Sequence, residues 1–328
     1  MIMSKYGIGV VSKNTVDACI EYANNTGNTI TLIPSRRQID FNGGYVENWT
    51  TKEFAKYVRE KTYNIFLKRD HGGPNQGLLS DDGYESFVQD CIYFDALHID
   101  PWKSVTSFEN GCKLTKDYIQ YCYQRNPHIL FEVGTEESIF RYDADKLEYL
   151  LKYLKDNLSE PTFNNINFAV IQSGTNLQEN RNTGNYDKKR LLSMIQVCVN
   201  YKILSKEHNG DYLPVELITE KLKLGLDAIN IAPEFGQIET QVYLSEIKNT
   251  PLFDIYFDIC YASRRWVKWV DPLFNPFSNK EKLINICGHY VLSTPYFLTQ
   301  IKRNVRQDID LKIKETIIKR LKELYGRP

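Results

Sequence analysis

The sequence predicts an α/β fold, a (β/α)8 TIM barrel followed by a C-terminal helical extension. Short β-prone runs alternate with amphipathic helical stretches along most of the chain, and this alternation is typical of parallel βα units. Eight such units in about 245 residues match the roughly 250 residues of such a barrel, whereas two half-sized domains fit less well. We therefore assign residues 1–249 to the barrel and residues 250–328 to the extension.

The sequence contains eight predicted strands, most of which end in a polar segment. We place them at residues 6–11, 29–34, 64–70, 96–100, 128–133, 167–171, 201–205 and 228–232. Active sites of such barrels lie at the C-terminal ends of the strands, so the polar side chains found there should converge. These side chains are Asp70-His71, Asp100, Glu132, Gln172, His208 and Asn230.

The predicted helices end on recognisable stop signals or begin on caps. The first stops at the Asn-Asn-Thr-Gly run 24–27, and Thr50 or Thr51 caps the next. The extension is rich in aromatic residues and ends in a helix over residues 309–325, whose apolar side chains repeat at i, i+4 and i+8. Such a stripe faces a core, so we expect the extension to pack on the barrel or on a second subunit of a homo-oligomer.

Composition argues against several classes of partner and location. Lys and Arg together number 41, as do Asp and Glu, so neither nucleic acid nor an anionic membrane is an expected partner. No apolar run approaches the roughly 20 residues of a membrane span, and the N-terminus does not resemble a signal peptide, which indicates a cytoplasmic protein. The seven cysteines lack CxxC spacing and are interpreted as buried thiols.

Asp70-His71 is the central feature of the candidate site. An apolar run delivers this pair into a loop of Gly, Pro and Asn. Neutral imidazoles such as His71 and His208 bind Zn, Mn, Fe, Co or Ni, and carboxylates such as Asp100 and Glu132 supply oxygen ligands. A metal site with both nitrogen and oxygen ligands and with open coordination positions suits Lewis-acid catalysis on a carbonyl. Zn is the favoured metal, and Mn, Co, Ni or Fe are alternatives.

Structural roles compete with this interpretation. A single strand-end histidine is often only hydrogen-bonded within the fold, and Asp100, which precedes Pro101, could form a turn. Glu132 could be the buried partner of Lys68 or Arg69. We expect the other three histidines to be structural, and we expect His98 to point away from the side of its strand that carries Asp100. These three are His98, His128 and His289.

Anion recognition has several candidate positions. Barrels often bind phosphate after strands seven and eight through backbone amides. Asn209-Gly210 suits this role, but Asp211 and Glu234 would repel a dianion. Alternative anion contacts are residues 173–176, Arg36, Arg37 and Lys103.

Three segments carry a family resemblance. Gln-Ile-Asp-x-x-Gly-Gly-Tyr at 38–45 resembles an Asn-Gln-Val-x-x-x-Gly-Gly-Tyr signature, and Asp-His-Gly-Gly-Pro-Asn at 70–75 resembles Asp-His-Leu-Gly-Pro-Asn. Both reference signatures are those of the class II tagatose-bisphosphate aldolase Z-type subunits, which are relatives of class II fructose-bisphosphate aldolases. His-Asn-Gly at 208–210, followed by residues 217–231, is similar to a segment of the catalytic class II aldolases. The resemblance is diffuse but spans nearly the whole chain.

The resemblance implies roles for individual residues. Asp70 would transfer the proton, His71 and His208 would bind the metal, and Asp100 and Glu132 would be ligands or supporting carboxylates, with Glu132 also a candidate catalytic group. Catalytic aldolases carry a histidine on strand six where this chain has Gln172, which we keep as a candidate ligand. The candidate substrate contacts are Gln38, Tyr45, Asn75, Lys103, Ser173, Asn209, Gly210 and Asn230.

The expected function follows from the same family. Some Z-type members are non-catalytic partners of an aldolase subunit, and related proteins are ketose or ketose-phosphate 4-epimerases. We expect a metal-dependent enzyme of retro-aldol type that acts on a ketose or ketose phosphate, either a 4-epimerase or a tagatose-bisphosphate-type aldolase. The alternative is a non-catalytic subunit that stabilises or activates a class II tagatose-bisphosphate aldolase, with that aldolase chain as its partner.

Overall fold

The structure, a computed structural model, describes residues 4–179 and 181–326. The strands in these residues are β1 (Tyr6–Ile8), β2 (Ile30–Leu32), β3 (Ile65–Gly72), β4 (Ala96–Ile99), β5 (Leu130–Val133), β6 (Ile166–Ile171), β7 (Leu177–Gln178), β8 (Arg181–Asn182), β9 (Leu204–Glu207) and β10 (Ala228–Ile231). The α-helices are α1 (Lys13–Thr26), α2 (Thr51–Arg59), α3 (Tyr84–Tyr93), α4 (Phe108–Arg125), α5 (Ala144–Asn157), α6 (Glu160–Asn164), α7 (Lys188–Tyr201), α8 (Val215–Lys223), α9 (Pro233–Ile247), α10 (Leu252–Ser263), α11 (Lys280–Cys287), α12 (Pro295–Gln300) and α13 (Ile309–Tyr325). Short 3-10 helices cover Trp102–Ser104, Val267–Trp269, Gly288–Tyr290 and Lys302–Asn304.

Eight of the strands close into a parallel barrel, which confirms the predicted fold. Their order around the barrel is β1-β10-β9-β6-β5-β4-β3-β2. The two remaining strands, β7 and β8, form a small antiparallel hairpin in the connection after β6. Because all barrel strands run in the same direction, their C-terminal ends meet at one rim.

The seventh barrel strand begins later than the sequence pattern predicts. Residues 201–205 were expected to be extended, but α7 continues to Tyr201, and Lys202 ends it in the left-handed conformation. The strand therefore covers Leu204–Glu207, and His208 follows it directly. Tyr201 and Lys202 are compatible with either a helix or a strand. The local sequence therefore does not show where α7 ends.

The C-terminal helix α13 docks on the barrel through its predicted stripe. Ile313, Ile317 and Leu321 are fully buried, and the helix packs against α1 and α9. At its end, Tyr325 contacts the ring of Tyr6 on the first strand, with the ring centroids 4.9 Å apart. The hydrophobic core is continuous from the barrel into the extension, and the boundary drawn at residue 249 stays a prediction.

All seven cysteines are buried free thiols. Within residues 4–179 and 181–326, none of the helices combines the length and the apolar character needed to cross a membrane.

Candidate active site

Asp70 and His71 lie at the distorted end of β3. The pairing of β3 with β4 shifts register between Arg69 and Gly72, so an irregularity falls on these two residues. His71 has φ of 47°, a left-handed conformation that costs free energy in a residue other than glycine. Such strain is common at functional sites, and here it directs two successive side chains towards the rim.

The glycines after this pair allow β3 and β4 to approach closely. Gly73 has φ of +148°, and a Cβ atom there would lie 2.7 Å from the backbone oxygen of Asp100. A Cβ at Gly72 would lie 2.8 Å from the backbone oxygen of His98. Side chains at these positions would force apart the strand ends that carry the site.

Three histidines from different strands converge at this rim. The rings of His71, His98 and His208 have centroids 5.2, 5.2 and 5.0 Å apart in pairs. One ring nitrogen of each lies within 4.8 Å of the others, a spacing that could hold a metal ion. A second, overlapping set of possible ligands consists of Asp70, His98, Glu132 and His208.

The expectation that His98 points away from the site is wrong. Its Nδ1 lies 3.7 Å from Asp70 and 3.7 Å from Glu132, and the side chain is fully buried. Side chains along a strand alternate with a period of two, so residues 98 and 100 share one face. The sequence Leu-His-Ile-Asp therefore contained the signal for His98.

Neighbouring groups fix the orientation of two imidazoles. His98 donates from Nε2 to the carbonyl of Gly134 at 2.9 Å, and its Nδ1 accepts from the backbone N–H of His71 at 3.2 Å. His71 donates from Nδ1 to the carboxylate of Asp100 at 2.6 Å, which leaves Nε2 facing Asp70. Metal-binding histidines are commonly held in this way by a carbonyl or carboxylate on the other nitrogen.

The three imidazoles of the cluster differ in pKa. Burial lowers the pKa of His98 to about 4 and the pKa of His208 to about 3, so both rings are neutral at pH 7. Burial also acts against protonation of His71, but Asp70 and Asp100 outweigh it and raise its pKa to about 10. Burial acts to raise the pKa of Asp70, and the three histidines reverse this and hold it well below its usual range.

Beneath the histidines lies a charged layer that we call the floor: Lys68, Glu132 and Lys206. Glu132 accepts hydrogen bonds from Lys68 and, at 2.8 Å, from Nε2 of His208, and Lys206 Nζ lies 3.4 Å away. All three side chains are nearly inaccessible to water. The expected pairing of Glu132 with Lys68 is therefore present, together with a direct contact between Glu132 and the cluster.

Gln172 lies outside the cluster. Its Oε1 accepts from the backbone N–H of Tyr142 and from Arg190, both at 3.0 Å. Its Nε2 donates to the carbonyls of Thr135 and Phe140 at 3.0 and 2.9 Å. The amide thus ties together the loop after β5 and has no free donor or acceptor directed at the histidines.

A cavity of about 410 Å³ opens above the cluster, within the size range of small-molecule sites. Asn230 lines it, donates to Asp70 at 3.3 Å, and has a buried Oδ1 without a hydrogen-bond partner. A Cβ atom at Gly7, its neighbour on β1, would lie 2.3 Å from this oxygen, so glycine leaves the space that the amide occupies. The amide oxygen therefore packs against Gly7, and Nδ2 faces Asp70.

The predicted site residues divide between the cavity and its surroundings. The cavity wall includes Gln38, Tyr45, Asp70, His71, Lys103, His208, Asn209 and Asn230. Asp100 and Glu132 lie behind it, while Asn75 bonds Ser104 and Ser173 bonds Glu207. Gly210 also lies off the wall, donating its N–H to the carbonyl of Asn230.

Arg36 is not available as an anion contact. Its guanidinium is buried and binds the carboxylates of Asp40 and Asp81 and the carbonyl of Gly73. The following residue, Arg37, is half-buried and lines the cavity instead.

The extension contributes a wall of the cavity that local patterns do not reveal. Lys268, Trp269, His289 and Tyr290 line it, although His289 was expected to be structural only. The His289 ring is buried, and its Nδ1 has no partner. A Cβ at Gly236 on α9 would lie 2.6 Å from this ring. The absence of a side chain at Gly236 therefore leaves the space that the His289 ring occupies.

The donor set suits a divalent metal. Three imidazoles match the protein ligands of a catalytic zinc site, which keeps one position open. The neighbouring carboxylates of Asp70 and Glu132 offer oxygen ligands for Mn, Co, Ni or Fe as well. His71, His98 and His208 would therefore hold the ion, with Asp70 beside it.

No protein-family model matches the sequence, and no curated protein matches it either. The fold, in contrast, has relatives among solved structures. A probable tagatose 6 phosphate kinase from Sinorhizobium meliloti 1021 has a TM-score of 0.73 at 14% identity, over 98% of this chain and 99% of that chain. The YdjI aldolase from Escherichia coli K12 has a TM-score of 0.58 at 13% identity, over 98% and 91%.

A fructose-bisphosphate aldolase from Campylobacter jejuni is similar to the same extent, with a TM-score of 0.58 at 14% identity over 98% of this chain and 90% of that one. Identities this low establish the fold rather than the activity. In fold, the chain is thus similar to a probable tagatose 6 phosphate kinase and to aldolases, in agreement with the resemblance that the motifs predicted.

Proposed function

We propose that this chain is a metal-dependent enzyme of retro-aldol type that acts on a ketose or ketose phosphate. The observation that carries the proposal is the convergence of three imidazoles and Asp70 below a cavity of about 410 Å³. The aldolase-type barrels among its structural relatives support the same class of chemistry.

A divalent metal held by His71, His98 and His208 would supply Lewis acidity that polarises the ketone carbonyl of the substrate. Asp100 supports this arrangement because it fixes the ring of His71. The carbonyl of Gly134 does the same for His98.

Asp70 is the group that moves the proton. As a carboxylate facing the cavity, it accepts the proton of the C4 hydroxyl while the C4–O bond becomes the carbonyl of an aldehyde. The electron pair of the C3–C4 bond passes to C3 and gives the enediolate of the remaining fragment. Asn230 orients the Asp70 carboxylate through its Nδ2.

The fate of the aldehyde separates two activities. Release of the aldehyde gives an aldolase, while rotation and re-addition through its other face, with return of the proton from Asp70, gives a 4-epimerase. Trp269 and Tyr290 of the extension line the cavity. If these side chains retain the aldehyde, the epimerase is favoured.

One observation favours the alternative, a non-catalytic partner of a class II tagatose-bisphosphate aldolase. Gln172 occupies the strand-six position at which the resemblance places a histidine of the catalytic aldolases. Its amide is fully bonded within the loop after β5 and supplies no ligand. His98 supplies a third imidazole from a different strand, and this is why we favour the enzyme.

The test measures metal and turnover on the same preparations. Protein purified without chelators should contain close to one divalent metal per chain, and proton NMR should show conversion of one member of a panel of ketoses and ketose phosphates. His208→Ala should lose both, whereas His128→Ala, which changes an exposed histidine, should lose neither. No metal and no conversion would refute the enzyme, and conversion only after addition of an aldolase chain would establish the partner role.

A further inference from the structure

Three cationic side chains surround the cavity opening, which we call the mouth: Arg37, Lys103 and Lys268. They come from the loop after β2, the segment after β4 and the extension, and all three line the cavity. Among residues 4–179 and 181–326, none of their charged nitrogens has a carboxylate oxygen within 4.0 Å. Lys268 is exposed and lies over the ring of Trp269 at 4.1 Å.

The mouth carries an excess of positive charge. The same cavity is also lined by the carboxyl groups of Asp70, Glu136 and Asp211, but none of these lies within 4.0 Å of a charged nitrogen of the three cations. Partial desolvation in the cavity wall and the charge of Arg37 lower the pKa of Lys268 to about 8, against the opposing effect of Glu136. Desolvation and Arg37 also lower the pKa of Lys103. A bound anion would relieve this repulsion.

The cationic surface continues outwards from the mouth. A second cavity, of about 240 Å³, shares Arg37, Lys268 and Tyr290 with the first and is also lined by Arg264 and Arg265. Both arginine side chains lack a carboxylate partner in the described part of the chain. The extension thus places three cations next to Arg37.

The position at which barrels usually bind phosphate is already taken. That position lies after the last strands, at the N-terminus of a helix. Here the carboxylate of Asp211 accepts the backbone N–H groups of Ala232 and Glu234 at 2.9 and 2.8 Å, at the start of α9. An anionic ligand would find these donors occupied and a carboxyl group in its place.

We propose that Arg37, Lys103 and Lys268 bind an anionic group, phosphate or carboxylate, at the end of the ketose remote from the histidine cluster. This inference rests on the proposed function, and it makes the extension part of the substrate site. A phosphate dianion can pair with more than one of these three cations, whereas a carboxylate brings a single negative charge.

Turnover of three related substrates tests the inference: a neutral ketose, its terminal phosphate ester and the corresponding ketose carboxylate. Wild-type protein should prefer an anionic form, and Lys268→Gln should lower kcat/KM for that form by about ten- to hundredfold, the range for a lost charge-assisted hydrogen bond. Turnover of the neutral ketose should fall much less, since it brings no charge to Lys268. Lys268→Arg should retain most of the preference, and Arg303→Gln, an exposed cation elsewhere on the extension, should change nothing.

Calorimetric titration with inorganic phosphate separates this inference from the proposed function. Phosphate binding that weakens in Arg37→Gln and Lys268→Gln but persists in Arg303→Gln supports the anion site even if no ketose is converted. Conversion of the neutral ketose in preference to both anionic forms, with no effect of Lys268→Gln, overturns the anion site and leaves the enzyme standing. The preferred anionic form, phosphate ester or carboxylate, identifies the substrate class.

Discussion

The floor and the mouth of the cavity differ in how their charges are compensated. On the floor, Glu132 contacts Lys68, Lys206 and His208, so each buried charge faces an opposite one or a hydrogen-bond donor. At the mouth, Arg37 and Lys268 have no carboxylate partner among the described residues. Both regions belong to one site, yet on the floor each cation lies next to a carboxylate, whereas in the described part of the chain Arg37 and Lys268 at the mouth do not.

The difference follows from access to water. A buried ion without a partner costs several kcal/mol, so the floor must be balanced before any ligand arrives. Water and salt screen the charges at the mouth, which can therefore remain uncompensated until a ligand brings the opposite charge. The floor is a preformed support for chemistry, and the mouth has the character of a recognition surface.

The largest expected effect on stability comes from removing the negative charge of the floor. Glu132→Gln leaves Lys68 and Lys206 buried next to each other without a counter-charge and should lower the free energy of unfolding by roughly 3–5 kcal/mol. Chemical denaturation measures this. The double variant Lys68→Met with Glu132→Gln removes one of the stranded cations and should recover part of the loss; a single variant as stable as wild type would show that the pairing is unimportant.

Asp70→Asn tests the chemistry above the floor. An amide cannot accept the C4 hydroxyl proton, so kcat should fall by about 10²- to 10⁴-fold. Metal content should persist if the ligands are the three histidines, and it should fall if the metal uses the set that contains Asp70. Asp82→Asn, at an exposed carboxylate, serves as the control; unchanged turnover in Asp70→Asn would remove the proton-transfer role.

Glu239 is a second buried carboxylate, and its hydrogen-bond partners are neutral side chains, whereas Glu132 contacts two lysines. It accepts hydrogen bonds from Ser12 and, at 2.9 Å, from Asn14. Burial raises its pKa from 4.5 to about 7. The folded state therefore holds this proton more tightly than the unfolded state, so its contribution to stability is fully present below pH 4.5 and is lost as the pH rises to about 7.

Glu239→Gln should remove this pH dependence. A pKa of about 7 instead of 4.5 corresponds to roughly 3 kcal/mol. The stability of the variant relative to wild type should therefore increase by up to that amount between pH 4.5 and pH 8, as measured by urea denaturation. Glu315→Gln, at an exposed site on α13, should show a constant difference across the same range. A constant difference in Glu239→Gln would contradict the raised pKa.

The smallest effect is expected at Gln172. Gln172→Ala leaves the backbone N–H of Tyr142 and two buried carbonyls without partners, and it should lower stability by about 1–3 kcal/mol. Bound metal should be unchanged in the folded variant, since the amide does not face the histidines. If Gln172→Ala lost the metal while its stability stayed unchanged, Gln172 would instead be a metal ligand.

The sequence determined the fold because it repeats one physical pattern. Alternating β-prone and amphipathic segments predict the barrel, and the polar ends of the strands identified Asp70, His71, His208 and Asn230 on the cavity wall. The helix over 309–325 matches the structure because its apolar spacing is regular. His98 could also have been found, since a strand period of two places it on the same face as Asp100.

Tertiary structure alone decided which side chains are free to act. Arg36 and Arg37 are adjacent, yet one is saturated by Asp40 and Asp81 and the other lines the cavity. Lys268 and His289 reach the site only because the extension folds back over the barrel rim. Local sequence encodes how a segment folds, whereas partnership between residues far apart in the chain depends on how the folded segments pack together.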